Sequence, residues 1–183
     1  MPFPKDKRYT AEEFFALHPE ESNSERYELM NGEIIALAAP TLEHQDIVGG
    51  LYTELRSFIK SGGGKCKPFI SPADVVLDYF NVVQPDVFVV CNPDKLDGKR
   101  CNGAPDFVIE VASSNRSTDF TRKLTLYAES GVREYWIVDP SYERVLVYFF
   151  EKSNSPYIYT FDKTIPVGIY NGDLKINISE LLK

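Results

Sequence analysis

The chain has 183 residues, of which 20 are Lys or Arg and 27 are Asp or Glu, so its formal net charge is −7. This balance disfavours a broad basic surface for nucleic acid, because Lys and Arg supply most of the attraction for phosphate. It leaves room for a local basic patch. The length fits one domain spanning residues 1–183, and the ordinary content of apolar and aromatic residues excludes disorder.

The cysteines and the apolar segments predict the compartment. Cys66, Cys91 and Cys101 match no zinc-binding spacing, so we expect reduced thiols in a cytoplasmic protein. No apolar stretch is long enough to cross a bilayer. Residues 1–7 lack the apolar segment of a signal peptide. We therefore expect no membrane partner.

The first predicted elements are a short helix and a hairpin. Thr10 and Glu13 fit a capping box at the helix start, and the helix ends before Pro19. Asn31 and Gly32 then separate two short apolar runs. An Asn-Gly pair in this position is a strong signal for a β-hairpin.

The rest of the chain alternates between helical and extended patterns. Residues 41–60 show helical periodicity and end at glycines 62–64. Strands are predicted at 69–70, 74–78, 86–90 and 107–112, then a helix from Ser117 to about Gly131 and a strand at 134–139. The prediction is an α/β fold (α+β in some classifications), with a mixed central sheet flanked by helices. Its core spans about residues 25–140, with extra N-terminal and C-terminal hairpins, the latter at about 144–162.

Two carboxylates interrupt the most apolar runs of the chain. Asp86 opens the run 86–90, and Glu110 lies near the end of the run 107–112. Such runs are typical of strands covered on both faces, where a charge is costly unless it is paired or binds a metal. An antiparallel pairing centred on Gly98 sets Asp86 opposite Glu110. Facing carboxylates repel each other unless a cation lies between them.

A lysine on the second predicted helix completes the candidate site. Lys123 shares a helix face with Leu124 and Tyr127, so we expect it to point partly toward the sheet. A lysine on such a face more often extends its stem toward water, but the acids upstream favour a site role. Asp86 and Glu110 would bind Mg²⁺, with Mn²⁺ as a substitute. Lys123 would then stabilise charge on a phosphate or help to activate water.

Several segments resemble the Uma-two family, which is described as endonucleases of the restriction-endonuclease-like PD-(D/E)XK fold. They are residues 26–29, 32–33, 84–87, 104–111, 123–124 with Tyr127, and 131–140. The resemblance covers about residues 9–139. It implies a Mg²⁺-dependent endonuclease acting on DNA, with Asp86 and Glu110 as the motif acids. The motif lysine normally lies two residues after the second acid, where this chain has Ala112. The resemblance therefore implies that Lys123 supplies the amine.

Three further residues are open candidates for the site. Glu28, on the first hairpin, either helps to hold a metal or water or faces solvent, because strand alternation permits both. His44, near the start of the first long helix, is either a proton shuttle or phosphate contact, or a residue bonded to backbone. Asp74 is either a third acid or a solvent-facing residue, on a strand that we expect beside Asp86.

Two other functions compete with a DNA endonuclease. The acidic net charge and the displaced lysine favour a catalytically inactive module for binding or assembly. A hydrolase of RNA or small nucleotides would use the same chemistry at phosphorus. Lys95, Lys99 and Arg100 form a basic loop tip that is either solvated or in contact with a nucleic-acid backbone. The aromatic C-terminal hairpin either forms a homodimer or covers the sheet.

Overall fold

The computed structural model describes residues 4, 7–17, 26–62, 64–112, 117–153 and 155–183, without the side chains of residues 117–120. The helices are α1 (Ala11–Leu17), α2 (Leu42–Lys60), α3 (Ser117–Ser130) and α4 (Ile178–Leu181). The strands are β1 (Arg26–Met30), β2 (Glu33–Leu37), β3 (Lys67–Ile70), β4 (Val75–Asp78), β5 (Asn81–Val83), β6 (Val87–Val90), β7 (Cys101–Asn102), β8 (Phe107–Val111), β9 (Glu134–Asp139), β10 (Arg144–Phe149), β11 (Tyr157–Thr160), β12 (Thr164–Pro166) and β13 (Lys175–Asn177). Pro19 lies outside the described residues.

The strands form two larger sheets rather than one central sheet. One has the order β2-β1-β5-β4-β7, the other has the order β11-β10-β9-β8-β6-β3, and β12 pairs with β13 separately. The six-stranded sheet is mixed as predicted, because β8 and β9 run parallel while its other neighbours are antiparallel. The predicted N-terminal hairpin β1-β2 forms, but Leu29 joins it to β5 of the five-stranded sheet. The prediction that the Asp74 strand pairs beside Asp86 is wrong, since β4 pairs with β5 and β7.

The predicted register of the two acid-bearing strands is confirmed. β6 and β8 are antiparallel, with Phe88 opposite Val108 and Val87 opposite Ile109. Continuing the same ladder by one position sets Asp86 opposite Glu110. Side chains alternate between the two faces of a strand, so this register gives both acids the same face of the sheet.

Strands β6, β8 and β9 of the six-stranded sheet are buried on both faces, which explains their continuous apolar runs. Helix α2 covers one face with the apolar stripe that the sequence predicts, whose buried members are Ile47, Val48, Leu51 and Leu55. These residues belong to a cluster with Val87, Val89 and Ile109 of the sheet. The segment after the C-terminal hairpin adds Ile165, Ile176 and Ile178 to this cluster. The buried core thus extends well past residue 140.

Helix α3 covers the opposite face, the one that carries the acids. Its Leu126 and Tyr127 are buried in a cluster with Phe88, Val108 and Tyr135. The same cluster also contains Val75 and Val83 of the five-stranded sheet. The acid-bearing face therefore lies between α3 and the second sheet.

The helix start and the hairpins agree with the sequence prediction. Thr10 and Glu13 form the capping box: the backbone N–H of Glu13 donates to Thr10 Oγ1 at 3.1 Å, and that of Thr10 donates to Glu13 Oε2 at 3.0 Å. Strands β10 and β11 form the C-terminal hairpin. Within it Tyr148 is buried in the core, whereas Tyr157 is exposed. The homodimer stays a prediction.

The expectation of three reduced thiols is wrong for one pair. Cys66 and Cys91 form a disulfide, and Cys101 is free and buried. The physical reason is the pairing of β3 with β6, in which Lys67 lies opposite Val90. The next position of that ladder brings the two cysteines face to face. Within the described residues, the helices include none that is both long enough and apolar enough to cross a membrane.

Candidate active site

Five elements converge on one pocket. β1 contributes Glu28, α2 contributes His44, the residue before β6 is Asp86, β8 contributes Glu110, and α3 contributes Lys123. All five side chains line the same pocket, which has a volume of about 30 Å³. The structure thus brings together the three principal residues predicted from the sequence and two of the open candidates.

Lys123 lies at the centre of the cluster. Its Nζ is 2.9 Å from Glu28 Oε1 and 3.0 Å from Glu110 Oε1, and its side chain is only 3% exposed. The expectation that helical spacing directs Lys123 toward the sheet is therefore confirmed. A buried ammonium group requires paired charges or hydrogen bonds, and two carboxylates from separate strands supply them here.

Glu28 is fully buried, which excludes the solvent-facing interpretation. Besides Lys123, its Oε1 accepts a hydrogen bond of 2.8 Å from the backbone N–H of Gln84. Its Oε2 is buried and has no hydrogen-bond partner in the part of the chain that the structure describes. An unsatisfied buried carboxylate oxygen is costly, so this atom is a candidate to bind a cation or water.

Burial dominates the electrostatics of Glu110. The pKa of Glu110 is raised to about 8, chiefly by loss of solvent; Lys123 lowers it, and the nearby charges of Asp86 and Glu28 raise it. The phenol of Tyr127 donates to Glu110 Oε1 at 2.7 Å and lowers the pKa. Burial and Glu110 hold the pKa of Tyr127 well above its usual range, so this phenol keeps its proton. In the absence of a further cation, burial thus favours the protonated form of Glu110.

Asp86 contacts two groups through one carboxylate oxygen. Its Oδ2 accepts a hydrogen bond of 2.8 Å from the backbone N–H of Val111 and lies 3.1 Å from His44 Nε2. Thr41 is the N-cap of α2, and its Oγ1 accepts from the backbone N–H of His44 at 3.2 Å. The cap fixes the first turn of α2, and the ring of His44 contacts a carboxylate. Sequence patterns favoured a backbone contact for this ring.

The donor set fits a hard divalent cation. Three carboxylates line the pocket together with the cations of Lys123 and Arg26, so negative charge is in excess when all three acids are ionised. The hydrogen bonds above use Oδ2 of Asp86 and Oε1 of Glu110, and the second oxygen of each takes no part in them. No group of three or more His, Cys, Asp and Glu among the described residues is arranged to hold a metal. Mg²⁺ needs only one or two protein carboxylates, because it keeps several waters.

Other charged residues that the sequence singled out lie outside this cluster. Asp74 accepts a hydrogen bond of 3.0 Å from Gln84 Nε2 and lies 3.7 Å from Arg100 Nε, so it is not a third acid of the pocket. Lys95 Nζ donates to the carbonyl oxygen of Ala104 at 2.6 Å. Sequence reasoning missed the contacts of Gln84 and Tyr127. The i, i+4 spacing of Tyr127 from Lys123 was the available signal for the second.

The chain was compared with known families and known structures. The family model Uma2, described as "Putative restriction endonuclease", matches residues 11–167. The chain is similar to a crystal structure of a "putative nuclease belonging to DUF820" from Anabaena variabilis ATCC 29413. The TM-score is 0.78 at 21% sequence identity, covering 94% of this chain and 96% of the other. No curated protein matches the chain.

The structural likeness confirms the predicted restriction-endonuclease-like fold, with its mixed sheet flanked by helices. The family match spans most of the chain, including every residue of the pocket. This protein therefore belongs to the Uma2 family.

Proposed function

We propose that this protein is a divalent-metal-dependent nuclease that hydrolyses phosphodiester bonds in DNA, with Mg²⁺ as its ion and Mn²⁺ as a substitute. The observation that carries the proposal is the contact of Lys123 Nζ with Glu110 inside the pocket that Asp86 also lines. Membership of a family described as restriction endonucleases supports the same class of activity.

Asp86 and Glu110 are the proposed metal ligands. When bound, Mg²⁺ supplies Lewis acidity that polarises a phosphoryl oxygen and lowers the pKa of a water. Glu110 has a pKa of about 8 in the protein without metal, so it must lose a proton to act as a ligand. Metal affinity should therefore rise with pH up to about 8.

Lys123 is the proposed electrostatic catalyst. Its ammonium group is fixed between two carboxylates, so little reorganisation is needed when negative charge develops on a phosphate nearby. Glu28 is a positioning residue in this scheme, because its Oε1 binds the same Nζ of Lys123 that contacts Glu110. His44 is a second positioning residue, since a proton on Nε2 lets it donate to Asp86.

The test is hydrolysis by the purified full chain with Mg²⁺ or Mn²⁺, on single-stranded and duplex DNA. We expect cleavage by the wild type and a loss of at least roughly 100-fold in Asp86→Ala and Glu110→Gln. Asp173→Asn is the matched control, because this acid is exposed to solvent, does not line the pocket and should keep full activity. Thermal unfolding of each variant establishes that the loss does not come from unfolding.

RNA and small nucleotides belong in the same panel. Cleavage confined to either of them would replace DNA as the substrate while keeping the pocket as the site. No product from any substrate, together with no calorimetric Mn²⁺ binding that depends on Asp86, would overturn the proposal in favour of an inactive binding module.

A further inference from the structure

A second pocket, of about 220 Å³, lies beside the candidate active site. Its apolar lining includes the rings of Phe69 and Phe88, which stack with their centroids 5.2 Å apart. Ala73 and Leu96 add aliphatic surface. An apolar cavity of roughly 150 Å³ holds one benzene ring, and pockets for drug-sized ligands are roughly 300 Å³ or more. This pocket therefore has room for one ring system the size of a nucleobase.

Two strands lead directly from this pocket to the active site. On β6, Phe88 lines the second pocket, and two residues earlier Asp86 lines the active site. On β3, Phe69 lies opposite Phe88, and two residues later Ser71 lines the active site. Residues two apart on a strand share a face and lie roughly 7 Å apart. The two pockets are thus neighbours on one side of the sheet.

A hydrogen bond links the walls of the two pockets. Gln84 lines the active site, and its Nε2 donates to Oδ1 of Asp74 at 3.0 Å. Asp74 lines the second pocket. A ligand that occupied both pockets would therefore pass over the Gln84–Asp74 pair. The two pockets are separated by about two residues along a strand, roughly 7 Å, which suits adjacent groups of one nucleic-acid chain.

The rim of the second pocket is basic in an otherwise acidic protein. Lys67, Lys99 and Arg100 line it, against the single acid Asp74. The guanidinium of Arg100 is 3.6 Å from the ring centroid of Phe15 and close to Asp74, so it is held in place. Lys67 and Lys99 are exposed to solvent. An apolar floor with a cationic rim is complementary to a base with its flanking phosphates.

We propose that this pocket binds the unpaired base of a nucleotide next to the scissile phosphate. The preferred substrate is then DNA with an unstacked base, either in a single strand or as a bulge in a duplex. This inference rests on the proposed nuclease function and adds the form of DNA on which it acts. It also assigns a role to Lys99 and Arg100 of the basic loop tip.

The test measures binding, with Ca²⁺ as the divalent ion, by fluorescence anisotropy of labelled oligonucleotides. One probe is a short oligothymidine, and its partner is the same sugar–phosphate backbone without bases. Stacking of one base predicts that the wild type binds the first roughly 5- to 150-fold more tightly. A perfect duplex and a duplex with one bulged thymidine form the second pair and separate the two sources of an unpaired base.

Two variants assign the effect to the pocket. Ala73→Met fills the cavity and should remove most of the preference for bases over the bare backbone. Lys99→Glu reverses an exposed charge on the rim and should weaken binding of every probe, whereas Lys60→Glu makes the same change at the end of α2 and should not. Lys99→Glu alters no buried packing, so it tests the rim even where Ala73→Met fails to fold.

Equal binding of the oligothymidine and the bare backbone would overturn the inference, as would an unchanged base preference in a folded Ala73→Met. Cleavage assays separate this failure from that of the proposed function. DNA cleavage without any base preference removes only the pocket assignment. A base preference that is lost in Ala73→Met, in a protein that cleaves nothing, removes only the nuclease.

Discussion

Glu110 and Glu134 lie on the neighbouring parallel strands β8 and β9, and burial raises the pKa of both. The sequence analysis placed Glu134 on a predicted strand without assigning it a role, yet it is only 1% exposed. Its Oε1 accepts from Trp136 Nε1 and its Oε2 accepts from the backbone N–H of Ile169, both at 2.8 Å. Uncharged donors thus satisfy both oxygens of Glu134.

The surroundings of Glu110 differ in charge and in completeness. It shares a pocket with Glu28, Asp86 and a buried lysine, and one oxygen of Glu28 lacks a hydrogen-bond partner among the described residues. Burial alone therefore does not distinguish a functional acid from a structural one. The difference between them is whether hydrogen-bond donors of the protein satisfy every carboxylate oxygen of the cluster. Glu134 joins the segment after β12 to β9, whereas the Glu110 cluster keeps an unsatisfied oxygen on Glu28 among the described residues.

The largest expected effect separates the two glutamates. Glu110→Gln should lower cleavage by at least roughly 100-fold because it removes a metal ligand, with little loss of stability. Glu134→Gln should keep the activity and lower the free energy of unfolding by about 1–3 kcal/mol, since an amide NH₂ would then face a donor. Cleavage rates and chemical denaturation of the two variants measure this.

Matching losses of activity in both folded variants would contradict the comparison. The cleavage rate of Glu134→Gln should then be measured at a temperature well below its unfolding midpoint. Any loss of activity that remains there comes from the reaction and not from unfolding.

Removal of the buried cation should have the next largest effect. Lys123→Met leaves Glu28 and Glu110 without their ammonium partner, and breaking a buried pair from one side costs about 3–5 kcal/mol. Adding Glu110→Gln to Lys123→Met should recover part of this loss, and Lys60→Met, at an exposed lysine, is the surface control. Additive effects in denaturant titrations would argue that the two side chains do not interact.

The pH dependence of stability follows from the raised pKa of Glu110. The folded protein keeps this proton up to about pH 8, whereas the unfolded chain loses it near 4.5. Between these values the folded state binds more protons, so the metal-free protein loses stability as pH rises. The difference in melting temperature between wild type and Glu110→Gln should therefore shift against the wild type from pH 5 to 8. Glu134 is present in both proteins, so its contribution to the pH dependence cancels in the difference between their melting temperatures.

Mg²⁺ should reverse this trend, because it binds the ionised carboxylate and stabilises the folded state by mass action. A difference in melting temperature that stays flat with pH would mean that Glu110 ionises normally.

The smallest effects come from the donors on each glutamate. Tyr127→Phe removes a hydrogen bond that lowers the pKa of Glu110, so the rising limb of the pH–activity profile should move to higher pH. Trp136→Phe removes the donor to Glu134 and should cost about 1–3 kcal/mol without moving that limb. A shifted limb in Trp136→Phe would show that the two regions are coupled.

Local patterns were enough to predict the central geometry. The register of β6 and β8 followed from two apolar runs spaced evenly about Gly98, and the direction of Lys123 followed from helical periodicity. Glu28 and His44 stayed open because strand and helix spacing leave the choice of face to tertiary contacts. Their partners, Lys123 and Asp86, lie far away in the sequence.

The missed features depend on pairings between distant segments. The disulfide needs β3 to align with β6 in one register, and no local signal marks that alignment. The division into two sheets likewise depends on β5 pairing with both β1 and β4. Residues 164–178 join the main core although their individual strands are short.

The amine of this site comes from a helix, while its acids come from strands. Ala112 lies two residues after Glu110, so its side chain points to the same side of the chain as that acid. A lysine at this position would carry an ammonium group directly after β8. The paired changes Lys123→Met and Ala112→Lys would therefore move the ammonium group from α3 to the end of β8. The strands that carry the acids and the helix that carries the ammonium group are thus separate parts, and the position of the amine can be changed while the acids stay in place.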